Sequence, residues 1–294
     1  MEEHALYDLH LHTGWSYDAE SPVEAVFRAA RERGILRLAI TDHHVIDSFS
    51  ETAAAAARYP EITWIPSAEL TVTTAIGGVD LLCYGLPREP PASLAAVLEE
   101  YHEWQRALGA ALCAGMQAIG FDYTDAHREA LLRSYRPEKA IRRQGFTHVK
   151  NGIQRHYFLE RGFIQTPEEY SQVLARARRA RPTPPCPAVA RVAPAVKEAG
   201  ALVVIAHPHG YFAGGDRARM EALRDECRLD GVECAHVTVP PEMAPVYRAW
   251  CVERGLLSTA GSDCHNPEDL ETMLGKHGGP AEWWDEIAAR LKGK

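Results

Sequence analysis

Short apolar runs alternate with polar tips and amphipathic stretches along most of the chain. Each run is too short for a typical helix and is rich in residues that favour strands. The predicted strands cover residues 5–11, 35–40, 62–65, 79–84, 201–206, 229–234 and 256–260. This alternation is typical of a parallel sheet whose strands are joined by crossover helices, so the sequence predicts an α/β fold.

The first predicted crossover helix shows the pattern of the others. Residues 21–24 read Ser-Pro-Val-Glu and predict a capping box with proline at the first helical position. The positions that recur at helical spacing and predict the buried face of this helix are Val23, Val26, Phe27 and Ala30.

Residues 92–195 break the rhythm because they contain no convincing strand. They open with a long helical stripe formed by Leu94, Val97, Leu98, Tyr101, Trp104 and Leu108. They end in a basic run at 176–181 and a proline-rich linker at 182–187. We therefore interpret 92–195 as a mostly helical insertion, a lid or specificity subdomain, between 1–91 and 196–294, which together form one α/β barrel.

Composition excludes several classes of protein. The chain has 294 residues, of which 46% are hydrophobic and 24% charged, values typical of a folded globular protein. The formal charge of −8 disfavours broad binding to nucleic acid. The seven cysteines are widely spaced without a CxxC pair, as in reduced thiols, and we find neither a signal peptide nor a membrane span. We therefore expect a cytoplasmic protein.

Nearly every predicted strand ends in a residue that can bind a metal ion. Asp8, His10 and His12 alternate by two, so on a strand they point the same way. The further candidates are Asp18, His43, Glu69, Asp80, His207, Asp263 and His265. Active sites of α/β barrels form at the carboxyl ends of the strands. These ligands exceed the needs of one ion, so we expect two or three divalent ions with Glu69 as a bridge.

This ligand chemistry favours hydrolysis. Imidazole and carboxylate without thiolate suit zinc, iron or manganese, and the sequence does not choose among them. Clustered divalent ions lower the pKa of a shared water and bind phosphoryl oxygens. Since no nucleophilic serine or cysteine accompanies the ligands, the pattern indicates attack by a metal-bound water.

Five of these motifs, taken in order, resemble those of the PHP (polymerase and histidinol phosphatase) family. They lie at 8–13, 41–43, 69, 206–208 and 261–265, and the match in order and spacing extends over nearly the whole chain. The resemblance implies a distorted (β/α)7 barrel with a trinuclear site. The helical section resembles the insertion of small bacterial PHP phosphoesterases that act on nucleotides or RNA 5′ ends.

The resemblance also implies three ion positions. The first uses His10, His12, Glu69 and Asp263, the second Glu69, Asp80 and His207, and the third Asp18, His43 and His265. The family usually has histidine where this chain has Asp80, so the second position departs from the family pattern. An aspartate is a harder, anionic ligand, and it alters the metal preference that we expect there.

Other polar residues near these motifs have open roles. His209 fits a loop residue, a phosphate contact or a proton donor. In relatives a basic residue near Lys150 or Arg155 helps to hold substrate phosphate. Their alternative is a solvated helix face. We expect Asp8 to orient a histidine rather than to bind metal. The remaining assignments are Asp42 as a similar support or a turn residue, His44 as a solvated neighbour of His43, and Glu233 with His236 as either supporting or structural residues.

Together these features predict a phosphoric ester hydrolase. We expect it to cleave a phosphate monoester or terminal phosphodiester of a nucleotide or small phosphorylated metabolite, using a hydroxide bridged between metal ions. Three alternatives remain: a 5′-to-3′ exonuclease on oligonucleotides, a metallohydrolase of non-phosphate esters or amides, and a non-catalytic metal-binding module. Neither a membrane nor an obligate protein partner is expected.

Overall fold

A computed structural model describes residues 5–292, so the outermost ends of the two predicted barrel segments, 1–4 and 293–294, lie outside it. Its sheet has seven strands in chain order. They are β1 (Tyr7–Leu11), β2 (Arg37–Ile40), β3 (Thr63–Thr74), β4 (Gly77–Tyr84), β5 (Leu202–Ile205), β6 (Gly231–Ala235) and β7 (Leu257–Ala260). Each overlaps one predicted strand, and the α/β fold is confirmed.

The sheet curls so that its first and last strands meet. The backbone N–H of His12 donates to the carbonyl of Cys264 at 2.9 Å, and that of Asp263 donates to the carbonyl of His10 at 2.7 Å. Leu11 and Cys264 pair in parallel across this seam. The sheet is therefore a nearly closed seven-stranded barrel, and its closure brings the segment after β7 against β1.

The prediction of a parallel sheet is wrong at β4, which runs antiparallel to both β3 and β5. Only residues 75 and 76 separate β3 from β4, and Gly77 has a positive φ of 110°. A connection this short makes a hairpin, because a parallel neighbour needs a crossover of a dozen or more residues. The strand predicted at 62–65 also continues to Thr74, which leaves Glu69 within β3 rather than at its end.

Twelve helices surround the sheet in the described part of the chain. Those before the insertion and within it are α1 (Val23–Glu32), α2 (Phe49–Ala56), α3 (Ala92–Ala118), α4 (Asp125–Tyr135), α5 (Glu138–Gln144), α6 (Asn151–Glu160) and α7 (Glu169–Ala180). The others are α8 (Val189–Glu198), α9 (Arg217–Cys227), α10 (Ala244–Arg254), α11 (Pro267–Thr272) and α12 (Ala281–Lys292).

Helix α1 buries the four positions predicted for its inner face. The predicted capping box is wrong, because Pro22 itself occupies the N-cap in an extended conformation and no side chain caps the helix. Ser21 lies one residue too far out, and its hydroxyl faces the carbonyl of His265 instead, at 3.5 Å. The sequence therefore predicted the helix correctly but misplaced its start by one residue.

Residues 92–195 contain helices and no strand, as predicted, although they pack in two ways. Leu94 and Tyr101 of α3 and Val192 of α8 belong to the barrel's own hydrophobic core. The distal half of α3 instead packs with α6 and α7 in a separate apolar cluster, which includes Met116, Phe158 and Val173. Helix α3 thus runs from the barrel into the insertion.

Two global expectations can be compared with this fold. All seven cysteines are free, as their spacing indicated. Within residues 5–292, none of the helices has the length and hydropathy that a membrane crossing requires.

Candidate metal centre

The centre begins on β1, where alternate residues face the same side of the strand. His10 lies on β1 and His12 lies one residue past its end. Both side chains are fully buried, and they start a cluster of imidazoles and carboxylates inside the barrel. The Asp8 carboxylate accepts the backbone N–H groups of Ser262 at 3.0 Å and Gly275 at 2.9 Å. Asp8 therefore anchors the loop after β7 and lies outside the ligand groups.

Glu69 of β3 lies at the middle of the cluster and is only 1% exposed. Its Oε2 is 3.0 Å from His10 Nε2, 3.2 Å from His12 Nε2 and 3.6 Å from His43 Nε2. Its other oxygen, Oε1, is 3.2 Å from His207 Nε2. One carboxylate thus faces four imidazoles, which is the arrangement expected of a bridging ligand.

Asp263 completes the first group, which is His10, His12, Glu69 and Asp263. Its Oδ1 lies 3.2 Å from His10 Nε2 and 3.0 Å from His12 Nε2. Asp263 has a left-handed backbone with φ of 57°, a conformation that is costly for a residue other than glycine and that recurs at functional sites. The group matches the predicted first ion position.

The second group joins Glu69, Asp80 and His207. Across the β3–β4 pair, Asp80 is the diagonal neighbour of Glu69, so both side chains lie on one face. His207 Nε2 is 3.8 Å from Asp80 Oδ2, and the phenol of Tyr211 donates to the same oxygen at 2.7 Å. Tyr211 was not identified from the sequence, where nothing distinguishes it from other loop tyrosines.

The third group gathers around Asp18. Its Oδ2 lies 3.5 Å from His43 Nε2 and 3.4 Å from His265 Nε2. His12 also belongs here, since His12, His43 and His265 offer ligand atoms within 4.8 Å of one another. All nine predicted ligands therefore lie in one continuous cluster.

Imidazoles and carboxylates alternate in this cluster and shift each other's protonation. Burial alone would lower the pKa of His12, but Asp263 and Glu69 outweigh it and raise this pKa to about 10. Glu69 likewise raises the pKa of His207 to about 9 against the effect of burial. Burial would raise the pKa of Glu69 and of Asp263, whereas neighbouring histidines lower both well below the usual range. The carboxylates thus favour the protonated forms of His12 and His207, and the imidazoles favour the ionised forms of Glu69 and Asp263.

Several atoms of the cluster are buried without a hydrogen-bond partner among the described residues. They include His12 Nε2, Asp18 Oδ1 and Asp263 Oδ1. Buried polar atoms normally have hydrogen-bond partners, so unpartnered nitrogen and oxygen atoms gathered in one cluster are suited to bind ions. Since imidazole with carboxylate suits zinc, iron or manganese, these residues fit divalent ions.

Two residues left open by the sequence also adjoin the ligands. Glu233 Oε1 is 3.0 Å from His10 Nδ1, while His236 Nε2 is 3.5 Å from Asp263 Oδ2. The backbone N–H of Thr238 donates to His236 Nδ1 at 3.1 Å, so that nitrogen is an acceptor. Both residues contact ligands from β6 and the segment that follows it.

His44 was expected to be solvated, and this is wrong. Only 1% of it is exposed, and burial lowers its pKa well below the usual value. The backbone N–H of Thr71 donates to its Nε2 at 3.1 Å, and Gln105 lies 2.8 Å from its Nδ1. His44 therefore links the loop that carries His43 to β3 and α3, contacts that the sequence pattern does not reveal.

The candidate phosphate-binding residues occupy different positions. Lys150 lies at the rim, where its Nζ donates to Glu20 at 2.8 Å and to Asn266, the residue after His265. His209 follows β5, and its Nδ1 is 2.9 Å from the Tyr247 hydroxyl. Arg155 lies exposed on α6. Lys150 therefore contacts the residue next to His265 of the third group.

Comparison with known proteins agrees with this architecture. The family model described as PHP domain matches residues 8–180, more than half of the chain. A Bifidobacterium adolescentis protein proposed to be a metal-dependent phosphoesterase shares 22% identity over 98% of both chains, with a TM-score of 0.75. A Chromobacterium violaceum amidohydrolase, solved with sulfate and no metal, shares 23% over 97% of both chains, with a TM-score of 0.72. None of the curated proteins compared with the chain matches it.

Proposed function

The chain belongs to the PHP domain family, and from this premise we propose that it is a metal-dependent phosphoesterase. Its substrate would be a phosphate monoester or terminal phosphodiester of a nucleotide or small phosphorylated metabolite. The observation that carries the proposal is the Glu69 carboxylate, which faces three imidazoles with one oxygen and a fourth with the other. We also propose a cytoplasmic location, because seven unpaired cysteines suit a reducing compartment.

Two or three ions of manganese, iron or zinc would occupy the centre. The residues that would hold them are His10, His12, Asp18, His43, Glu69, Asp80, His207, Asp263 and His265. When bound, such ions acidify a water molecule and neutralise phosphoryl charge. The absence of a serine or cysteine among these side chains supports hydrolysis by water rather than through a covalent enzyme intermediate.

The chain's own residues would bind and orient the substrate phosphate. Lys150 sits at the rim beside Asn266, where a phosphate entering the centre can replace Glu20 as its partner. His209, oriented by Tyr247, would supply a second contact on the β5 side. Tyr17 supports a lid role for the insertion, because its ring centre lies 3.9 Å from that of His148, with the rings tilted by 43°, and its carbonyl accepts the Tyr135 hydroxyl at 2.5 Å.

The test is a comparison of three chromogenic substrates on metal-loaded protein. They are p-nitrophenyl phosphate, thymidine 5′-monophosphate p-nitrophenyl ester and p-nitrophenyl acetate. We expect turnover of one or both phosphoesters, with little hydrolysis of the acetate. Turnover of the acetate alone would contradict the proposal and favour an esterase or amidase.

Glu69→Ala provides the decisive variant. Removing the bridging carboxylate should lower phosphoesterase activity by about 1,000-fold or more, because several kcal/mol of charge stabilisation depend on the ions. Glu286→Gln is the control, since that carboxylate, on α12, pairs at the surface with Arg248 of α10. Full activity in Glu69→Ala would refute the bridging role. A steep loss of oligonucleotide turnover with added salt would point to an exonuclease instead.

A further inference from the structure

Glu233 is a fully buried carboxylate on β6 that belongs to none of the three predicted ion positions. Its two oxygens have different partners. Oε1 lies 3.0 Å from His10 Nδ1, and Oε2 accepts the backbone N–H of His207 at 2.6 Å. One side chain thus touches a ligand of the first group and a ligand of the second.

The contact with His10 determines which ring nitrogen is available to a metal. An ionised carboxylate can only accept hydrogen bonds, so the hydrogen of a neutral His10 ring lies on Nδ1. Nε2 is then free to present its lone pair to the cluster, where it lies 3.0 Å from Glu69 Oε2 and 3.2 Å from Asp263 Oδ1. Glu233 therefore selects the tautomer in which His10 can act as a ligand.

The contact with His207 acts on the backbone. His207 has a positive φ of 29°, a conformation that residues other than glycine keep only when their surroundings hold them. The 2.6 Å hydrogen bond from its N–H to Glu233 ties this residue to the adjacent strand. With the backbone held, Nε2 of His207 stays 3.2 Å from Glu69 Oε1.

We propose that Glu233 is a positioning residue that couples the first and second ion positions by fixing the ring of His10 and the backbone of His207. The proposal rests on the metal centre proposed above and is independent of the substrate. It assigns Glu233 a role distinct from that of Glu69, which would touch the ions directly.

Glu233→Gln is the sharpest variant because it keeps the shape and removes one acceptor. The amide can accept from His10 or from His207 but not from both, and its NH₂ group can instead donate to His10 Nδ1. That exchange would move the His10 hydrogen to Nε2 and block ligation. We expect Zn²⁺ to bind the chelator-treated variant about 10- to 100-fold more weakly by titration calorimetry.

Glu221→Gln is the matched control. Its carboxylate also accepts two donors, Trp250 Nε1 at 2.9 Å and Arg254 Nε at 2.8 Å, but it lies on α9 and touches no ligand. We expect wild-type Zn²⁺ affinity and stoichiometry in this variant. If Glu221→Gln lost as much Zn²⁺ affinity as Glu233→Gln, both losses would reflect a general loss of stability. That result would overturn the proposal.

The histidine tautomer gives a second reading that a merely structural role would not move. The measurement is the ¹⁵N-histidine NMR spectrum of Zn²⁺-loaded protein, in which comparison with His10→Asn assigns the signals of His10. In the wild type, these signals should show the ring hydrogen of His10 on Nδ1. Glu233→Gln should lose that signature. Glu233→Asp keeps the charge, but its side chain is one methylene too short to reach both His10 Nδ1 and the backbone N–H of His207. This variant should also bind Zn²⁺ more weakly than wild type. It replaces Glu233→Gln if circular dichroism shows that Glu233→Gln is unfolded.

The outcomes separate the two proposals. Wild-type Zn²⁺ affinity and an unchanged His10 tautomer in a folded Glu233 variant would overturn the role of Glu233 and leave the metal centre intact. A wild-type protein that binds no Zn²⁺ would overturn the metal centre itself, and the role of Glu233 with it.

Discussion

At the residue scale, the second ion position differs from the family pattern in one ligand, which accepts a hydrogen bond from a neighbouring tyrosine. Asp80 stands where the resemblance leads us to expect histidine, and its Oδ2 accepts the Tyr211 phenol at 2.7 Å while lying 3.8 Å from His207 Nε2. A hydrogen-bonded carboxylate is oriented by its partner, as supporting residues orient metal ligands elsewhere. We infer that Asp80 would be the ligand at this position and that Tyr211 only orients its carboxylate.

Asp80→His tests that interpretation. Imidazole is a softer ligand than carboxylate, so the variant should keep phosphoesterase activity within about tenfold of wild type while zinc gains relative to manganese in the order of metals. Activity measured after reconstitution with each metal gives the comparison. Tyr211→Phe, which keeps the carboxylate, should retain the wild-type order of metals. An unchanged metal order in Asp80→His would indicate that Asp80 does not reach an ion.

At the scale of elements, α3 connects the barrel to the helical insertion through close contact with α7. A Cβ added at Gly115 would lie 2.6 Å from the carbonyl oxygen of Ala177, so the two helices approach as closely as a glycine permits. The apolar cluster around Met116 and Phe158 surrounds this contact. The distal insertion therefore depends on a small residue in the middle of a long helix.

Gly115→Val should accordingly destabilise the insertion by about 1–3 kcal/mol, because the backbone of α7 cannot yield without moving. Urea unfolding followed by circular dichroism measures the change. Gly152→Ala is the matched control, as a Cβ at Gly152 of α6 meets no atom within 4 Å. That variant should be as stable as wild type or gain up to about 1 kcal/mol from better helix propensity. Equal stability of both variants would contradict the close contact.

At the scale of the whole molecule, the barrel encloses a cluster of charges that would be costly to bury singly. The histidines hold protons against burial because carboxylates face them, which raises the pKa of His12 to about 10 and of His207 to about 9. A group whose pKa is higher in the folded state binds its proton more tightly there. The ion-free protein is therefore stabilised by these protons.

This linkage predicts how the ion-free protein responds to pH. The stabilisation is complete below about pH 6.5, the ordinary histidine pKa, and disappears as the pH rises through 9 and 10. Chelator-treated protein should thus lose on the order of 1 to 2 kcal/mol for each histidine between pH 7 and pH 9.

Thermal unfolding in chelator across this range provides the measurement. His12→Gln should flatten the decline, whereas His156→Gln, at an exposed histidine of α6, should leave it as in wild type. A melting temperature that stays constant or rises with pH in wild type would refute the protonated centre.

Local pattern was sufficient to locate the strands and to name the residue types of the centre. Seven apolar runs predicted the seven strands, and helical spacing predicted the buried face of α1, because burial on one side imposes a period that the sequence must carry. Placing Asp8 and His10 on one face needed only the two-residue repeat of a strand. Ten candidate ligands were therefore named from their places after the apolar runs, and the resemblance to the PHP family implied ion positions for nine of them.

Tertiary structure alone decided how those residues meet. The direction of β4 depends on a two-residue hairpin, and the extension of β3 puts Glu69 inside a strand, neither of which an apolar run reveals. Glu233 and His10 are 223 positions apart, and Tyr211 reaches Asp80 across 131. No period in the sequence records such a contact, since it arises only when the curled sheet brings distant strands together. The sequence thus specified the ligands, and the closing of the barrel decided their partners.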